Sequence, residues 1–146
     1  MPDTINFYLT DAPYGFFSNF AAYPIEIDGK IWPTSEHYFQ AMKFAGTPHE
    51  DEVRREESPM KAAQMGRDRH RPLRTDWETV KDDIMRIAVR AKFTQHSSLR
   101  DELLSTGDAK IVEHTTNDSY WADGGDGSGR NMLGVILMEI REEIRA

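Results

Sequence analysis

Cysteine is absent from the 146 residues, which excludes a disulfide framework, a thiolate nucleophile and cysteine-ligated zinc. Long apolar runs are also missing. No stretch approaches the roughly 20 continuous apolar residues of a spanning helix, so no membrane partner is expected. The Met1-Pro2-Asp3-Thr4 start shows neither the basic nor the apolar region of a signal peptide, and the expected location is the cytoplasm. Positive charge is scarce: 18 Lys and Arg against 25 Asp and Glu leave a net charge of −7. A protein that grips long nucleic acid needs a basic surface, so strong, sequence-specific nucleic-acid binding is not expected. A small ligand with one or two phosphates asks only for a local basic pocket. Arg67, Arg69, Arg71 and Arg74, interleaved with Asp68 and His70, supply such a cluster. The chain lacks a P-loop, a dinucleotide-binding glycine fingerprint, a zinc-protease helix and a nucleophile elbow. His37, His49, His70, His96 and His114 have no ligand-like spacing, so neither a metal nor another cofactor is expected. Oligomeric state is not encoded in any pattern here.

What is present reads as one mainly helical α+β domain over residues 1–146 with a small β-sheet built largely from the N-terminal third. Residues 5–9 form a short strand. Residues 24–30 alternate and end in Asp28-Gly29, a hairpin signal, with Ile31-Trp32 returning as far as Pro33. Thr34 or Ser35 caps a helix to about Ala45, stopped by Gly46. A charged helix covers residues 48–57. Ser58-Pro59 opens a third helix to about Gly66. Asp76 caps the longest helix, with Val80, Ile84, Ile87, Ala88 and Ala91 as a buried stripe. A short helix over 98–105, a strand over 110–114 and an amphipathic helix carrying Leu133, Ile136, Leu137, Ile140 and Ile144 complete the chain.

Four segments carry chemistry-bearing residues. In Trp32-Pro33-Thr34-Ser35-Glu36-His37-Tyr38-Phe39-Gln40-Ala41-Met42-Lys43-Phe44, helical spacing places Glu36, Gln40 and Lys43 at i, i+4 and i+7. A carboxylate, an amide and an amine then share one face among apolar neighbours. That arrangement is expensive if partly buried, unless it serves a site; the alternative is a solvated face with a capping glutamate. The second segment runs from Tyr120 to Asn131 and includes Trp121, Asp123, Gly124, Gly125, Asp126 and Gly127. Its glycines can turn N–H groups toward an anion, and the helix start beyond it suits a phosphate. The alternative is a flexible surface loop, against which the large Trp121 argues. The third, Met65-Gly66-Arg67 through Arg74 to Asp76-Trp77, offers arginine forks for phosphate and an indole for stacking; a solvated loop with Trp77 folded onto the core is the competing reading. The fourth, Phe16-Phe17-Ser18-Asn19-Phe20, offers Asn19 to a sugar or base edge.

Together these segments resemble the NADAR (YbiA-like) family. The resemblance rests on Asn6-Phe7-Tyr8, Phe17-Ser18-Asn19-Phe20, Trp32 through Ala41 with Lys43-Phe44, Met65-Gly66-Arg67, the Trp121–Gly127 loop, and Asn131 with Leu133-Gly134, all in order. It implies an N-glycosidase that cleaves a ribose C1′–exocyclic nitrogen bond. Its substrates would be phosphoribosylamino-pyrimidine intermediates of riboflavin biosynthesis or ADP-ribosylated guanine. On that basis Glu36 is the first catalytic carboxylate, with Asp123 or Asp126 second. Lys43 either forms a Schiff base at C1′ or binds phosphate or hydroxyl. Asn19, Phe20, Gln40, Arg67, Trp77, Trp121, Gly124, Gly125, Gly127 and Asn131 are the expected substrate-binding residues. The alternative is a module that binds ADP-ribose or a related nucleotide without turnover.

Overall fold

Asp28 and Gly29 decide the first local structure. Both take positive φ, 54° and 76°, as a two-residue type I′ turn requires. Strands Ile25–Ile27 and Lys30–Trp32 accordingly pair antiparallel, with Ile25 opposite Trp32. The computed structural model describes residues 3–146. In chain order its elements are β1 (Thr4–Phe7), β2 (Ile25–Ile27), β3 (Lys30–Trp32), α1 (Ser35–Ala41), α2 (Pro48–Arg54), α3 (Pro59–Gly66), α4 (Trp77–Gln95), α5 (Ser97–Ser105), β4 (Lys110–Glu113) and α6 (Met132–Arg145). This is a mixed α+β chain, mainly helical. No helix among the described residues is long and apolar enough to cross a membrane. Contacts group the chain into two compact units, Ala22–Lys92 and a second made of residues up to Ala21 with Phe93–Ala146.

In the first unit, three helix starts are capped as the sequence suggests. The Thr34 hydroxyl accepts the His37 N–H, that of Thr47 the His49 N–H, and that of Ser58 the N–H groups of Met60 and Lys61. Proline at the first position of α2 and α3 costs no hydrogen bond there. Ile25, Trp32, Tyr38, Ala41, Phe44, Val53, Ala62, Ala88 and Ala91 form the core; removing a fully buried side chain such as Trp32 costs about 3–5 kcal/mol. His37 is fully buried within this unit. Its Nε2 faces the Glu56 carbonyl at 2.8 Å and its Nδ1 the Thr34 hydroxyl at 2.8 Å. The carbonyl can only accept, so Nε2 carries the proton, and the Thr34 hydroxyl can donate to a neutral Nδ1. Burial pushes its pKa down.

Four expectations need correction. The first helix ends at Ala41, and Met42–Phe44 tightens into a 3₁₀ turn before Gly46 takes φ of 82°. Helix α2 ends at Arg54 rather than near residue 57: the Arg55 N–H still donates to the Asp51 carbonyl, but that of Glu56 tightens to the Val53 carbonyl three residues back. Ile87 is exposed on α4 and Val80 and Ile84 are half-buried; the buried residues there are Trp77, Met85, Ala88, Val89, Ala91, Lys92 and Phe93. Finally, the strands make two separate pairs. In the second unit β1 pairs with β4 in parallel, Ile5 opposite Ile111, so half of the β-structure depends on a partner more than a hundred residues away. Helix α6 covers that pair with buried Leu133, Ile136, Leu137 and Ile140. The close approach is possible because Gly134 has no Cβ to strike the Ile111 carbonyl.

Candidate functional site

The polar stripe of the first unit is buried. Glu36 and Gln40 are 8% and 6% exposed, on a helix whose residues from Ser35 to Ala41 are all buried. The Gln40 amide nitrogen donates to Glu36 Oε2 at 2.7 Å, the i,i+4 contact that helical spacing allows. Lys43 lies one turn further, in the 3₁₀ segment, half-buried. Its ammonium donates to the Gly66 carbonyl at 3.2 Å and lies 5.9 Å from the Phe39 ring centre and 5.7 Å from that of Trp77. Burial pushes the Lys43 pKa down; the Glu36 charge opposes that shift and Arg67 adds to it. The segment is therefore a carboxylate and an easily deprotonated amine on an apolar bed, which can balance cationic charge, move a proton or attack an electrophilic carbon.

Trp77 is folded onto this bed, 6% exposed, with its ring edge-on to Phe39 at 5.1 Å. Its indole therefore packs inward beneath the lysine. Arg67 is exposed at the C-cap of α3. Arg71 and Arg74 are engaged by Glu52, Asp68 and Asp76, which leaves the arginine cluster less free to meet phosphate than its composition suggests.

The glycine-rich loop of the second unit is a closed structure. Asp123 is buried; one carboxylate oxygen faces His114 Nδ1 at 2.7 Å, and the other accepts the N–H groups of Thr115 and Gly125 at 3.1 and 2.8 Å. Burial alone would raise this carboxyl, but those three donors outweigh it and hold it below the usual carboxylate range. Asp126 is exposed and accepts from the Ser128 hydroxyl and N–H, which lower its pKa. The Gly124 N–H donates to the Asp118 carbonyl and that of Gly125 to Asp123. Both are thereby turned into the loop, a correction to the anion cradle expected of them. Gly127, with φ of 87°, has open space where a side chain would be. The start of α6 is closed in the same way: Met132 and Leu133 donate to the carbonyls of Tyr120 and Trp121, so these first-turn donors are not open to a phosphate. Trp121 is half-buried with its ring edge-on to Tyr120 at 4.9 Å. Asn131, in the left-handed region at φ of 52°, accepts the Glu113 N–H and donates to the Ile111 carbonyl. Its amide is a clamp on β4. Asn19 is buried and Phe20 half-buried in this unit.

Sequence reasoning missed two cations. A groove of about 370 Å³ opens in the second unit, its lining including Thr4 and Asn6 of β1, Lys110 of β4, Asp123, Gly127 and Arg130. Lys110 was legible only as a strand residue. Arg130 was overlooked beside the glycines, although its position before the last helix was a usable signal. Its guanidinium lies 5.0 Å from the Tyr120 ring centre.

The NADAR domain profile matches residues 6–145. The chain is 62% identical over 145 residues to the N-glycosidase YbiA of Escherichia coli, covering 99% of this chain and 91% of that protein. It is 43% identical over 145 residues to a riboflavin biosynthesis protein of Vibrio vulnificus, covering 99% of this chain and 40% of that protein. The NMR structure of Escherichia coli YbiA superposes with a TM-score of 0.91 at 62% sequence identity, over 99% of this chain and 87% of that one.

Proposed function

Because the chain belongs to the NADAR family, we propose that it is a hydrolase of N-glycosyl bonds that cleaves ribose C1′ from an exocyclic nitrogen, with phosphoribosylamino-pyrimidine intermediates of riboflavin biosynthesis as its substrate class. The relatives' names support both halves of this reading: one is an N-glycosidase and another a riboflavin biosynthesis protein. The observation that carries the chemistry is the buried line Glu36–Gln40–Lys43. A carboxylate held at 8% exposure is costly to bury, and the cost is offset where a cation develops against it.

In the direct route the C1′–N bond breaks as positive charge spreads over C1′ and the ring oxygen. The Glu36 carboxylate balances that charge and takes a proton from the attacking water. The water oxygen bonds to C1′, and the proton that Glu36 takes goes on to the leaving nitrogen, which departs as the free amine. In the amine route the C1′–O4′ bond opens, the proton of the exocyclic nitrogen passing to O4′ to leave an imine. Neutral Lys43 adds to C1′, its amine protons pass to the base nitrogen, which departs as the free amine, and water hydrolyses the resulting lysine imine to release the open-chain sugar and regenerate the amine. The lowered Lys43 pKa favours the second route, because only the neutral amine attacks. Asp123, with both oxygens occupied, holds the loop.

The same bond type joins ADP-ribose to guanine, so the test offers both substrates under identical conditions. Release of the free pyrimidine amine with ribose 5-phosphate supports the assignment. Release of ADP-ribose with intact guanine moves the substrate class, and saturable binding of ADP-ribose with turnover of neither substrate returns the protein to a binding module.

A further inference from the structure

The carbonyl oxygen of Gln40, Oε1, is buried and has no hydrogen-bond partner among the described residues. An orphaned buried acceptor calls for a physical reason. The amide orientation is not free: only its NH₂ can face a carboxylate, and it does so at 2.7 Å to Glu36 Oε2. Oε1 must therefore point the other way, and there it meets Gly66. A Cβ on Gly66 would land on Oε1, 2.7 Å from Gln40 Cδ and 3.3 Å from Gln40 Cβ. Where other residues carry that carbon, glycine carries a hydrogen, which gives Oε1 a weak Cα–H donor. The backbone does not demand glycine here. Gly66 is the last residue of α3 and is absent from the positive-φ glycines, so helix propensity would favour alanine. The same residue's carbonyl receives the Lys43 ammonium at 3.2 Å.

We infer that Gly66 is the positioning residue of the Glu36–Lys43 pair: its carbonyl seats the Lys43 amine, and its missing side chain lets Gln40 turn its NH₂ onto Glu36. The inference rests on the reading of Glu36 and Lys43 given above. It adds a residue that acts through the Gln40 and Lys43 side chains and not on the substrate. Any side chain at position 66 displaces the Gln40 amide and takes its NH₂ away from the carboxylate.

Gly66→Ala, Gln40→Ala and the double variant test this by turnover and by NMR of the Gln40 side-chain amide, identified by its loss in Gln40→Ala. Gly66→Ala is expected to lower kcat about 10-fold or more with KM changed less than about threefold, and the double variant to fall no further than Gln40→Ala alone. Losses that multiply in the double variant overturn the inference, because Gly66 would then act independently of Gln40. In the wild type the buried, hydrogen-bonded Gln40 amide is expected to exchange slowly with solvent; in Gly66→Ala its signals should shift and exchange at least about 10-fold faster. An unchanged amide signal overturns the inference whatever the kinetics show. Should Gly66→Ala fail to fold, removing the Gln40 side chain restores folding, and a double variant that stays unfolded overturns the inference. Glu36→Gln measured alongside separates the two levels: if it retains wild-type turnover the catalytic reading falls, while the amide signal still decides whether Gly66 holds Gln40.

Discussion

Replacing Glu36 with Gln is the most direct perturbation of the proposed chemistry. Gln40 Nε2 donates to Glu36 Oε2 at 2.7 Å, so a glutamine at 36 must turn its own carbonyl toward Gln40 to keep that bond. Its NH₂ then occupies the other carboxylate position. There a charged acceptor becomes a neutral donor while size and local packing persist. A carboxylate about 4 Å from a unit positive charge gains ~4 kcal/mol at an effective dielectric near 20. Partial charge at C1′ reduces that, so turnover should fall by about 10²–10³-fold. The interaction is strongest in the transition state, so KM should change far less than kcat. The assay is steady-state release of free base, with a thermal melt to establish folding. Glu36 also raises the Lys43 pKa through its charge, so any lysine-dependent limb should move to lower pH in the variant. A folded Glu36→Gln protein with kcat within about threefold of wild type refutes the assignment, and the role passes to another carboxylate.

Borohydride reduction during turnover should trap a sugar adduct that Lys43→Ala abolishes, detected as a mass increase on the peptide carrying Lys43; turnover without any adduct refers the reaction to the direct route. Because burial lowers the Lys43 pKa, adduct formation should rise with pH along a limb below the ordinary lysine range near 10.5, whereas a limb at that value excludes an activated amine. His37 has a depressed folded pKa, so its contribution to stability is complete above the unfolded value near 6.5 and is lost as pH falls toward the folded one. Melting temperature should therefore drop between about pH 7 and 5, and a folded His37→Gln variant should flatten that part of the profile. Asp123→Ala should accelerate hydrogen exchange at the Thr115 and Gly125 amides, which donate to the carboxylate; unchanged protection would show that the loop holds itself by its backbone bonds alone.

Much of the local structure was legible in the sequence because its causes are local. Asp28-Gly29 specifies its hairpin turn, Ser58-Pro59 and Thr34 specify helix starts, and the i, i+4 spacing brings Gln40 to Glu36 without help from the rest of the chain. The composition and order of motifs placed the chain in its family, since they draw on residues from one end to the other. Tertiary structure decided what each polar group does. Four glycines between Gly124 and Gly129 look like an anion cradle, but Asp118 and Asp123 take the Gly124 and Gly125 N–H groups. Asn131 looks like a ligand contact, yet its amide satisfies two backbone groups of a strand some twenty residues earlier. Trp77 looks like a stacking surface and is buried against Phe39. Gly66, one letter in a helix, acquires meaning only when Gln40 and Lys43 arrive from 23 or more residues away. Spacing along a chain reports neighbours within a turn or two of helix or strand; which donor finds which acceptor across the fold depends on packing, and burial then makes every such pairing obligatory.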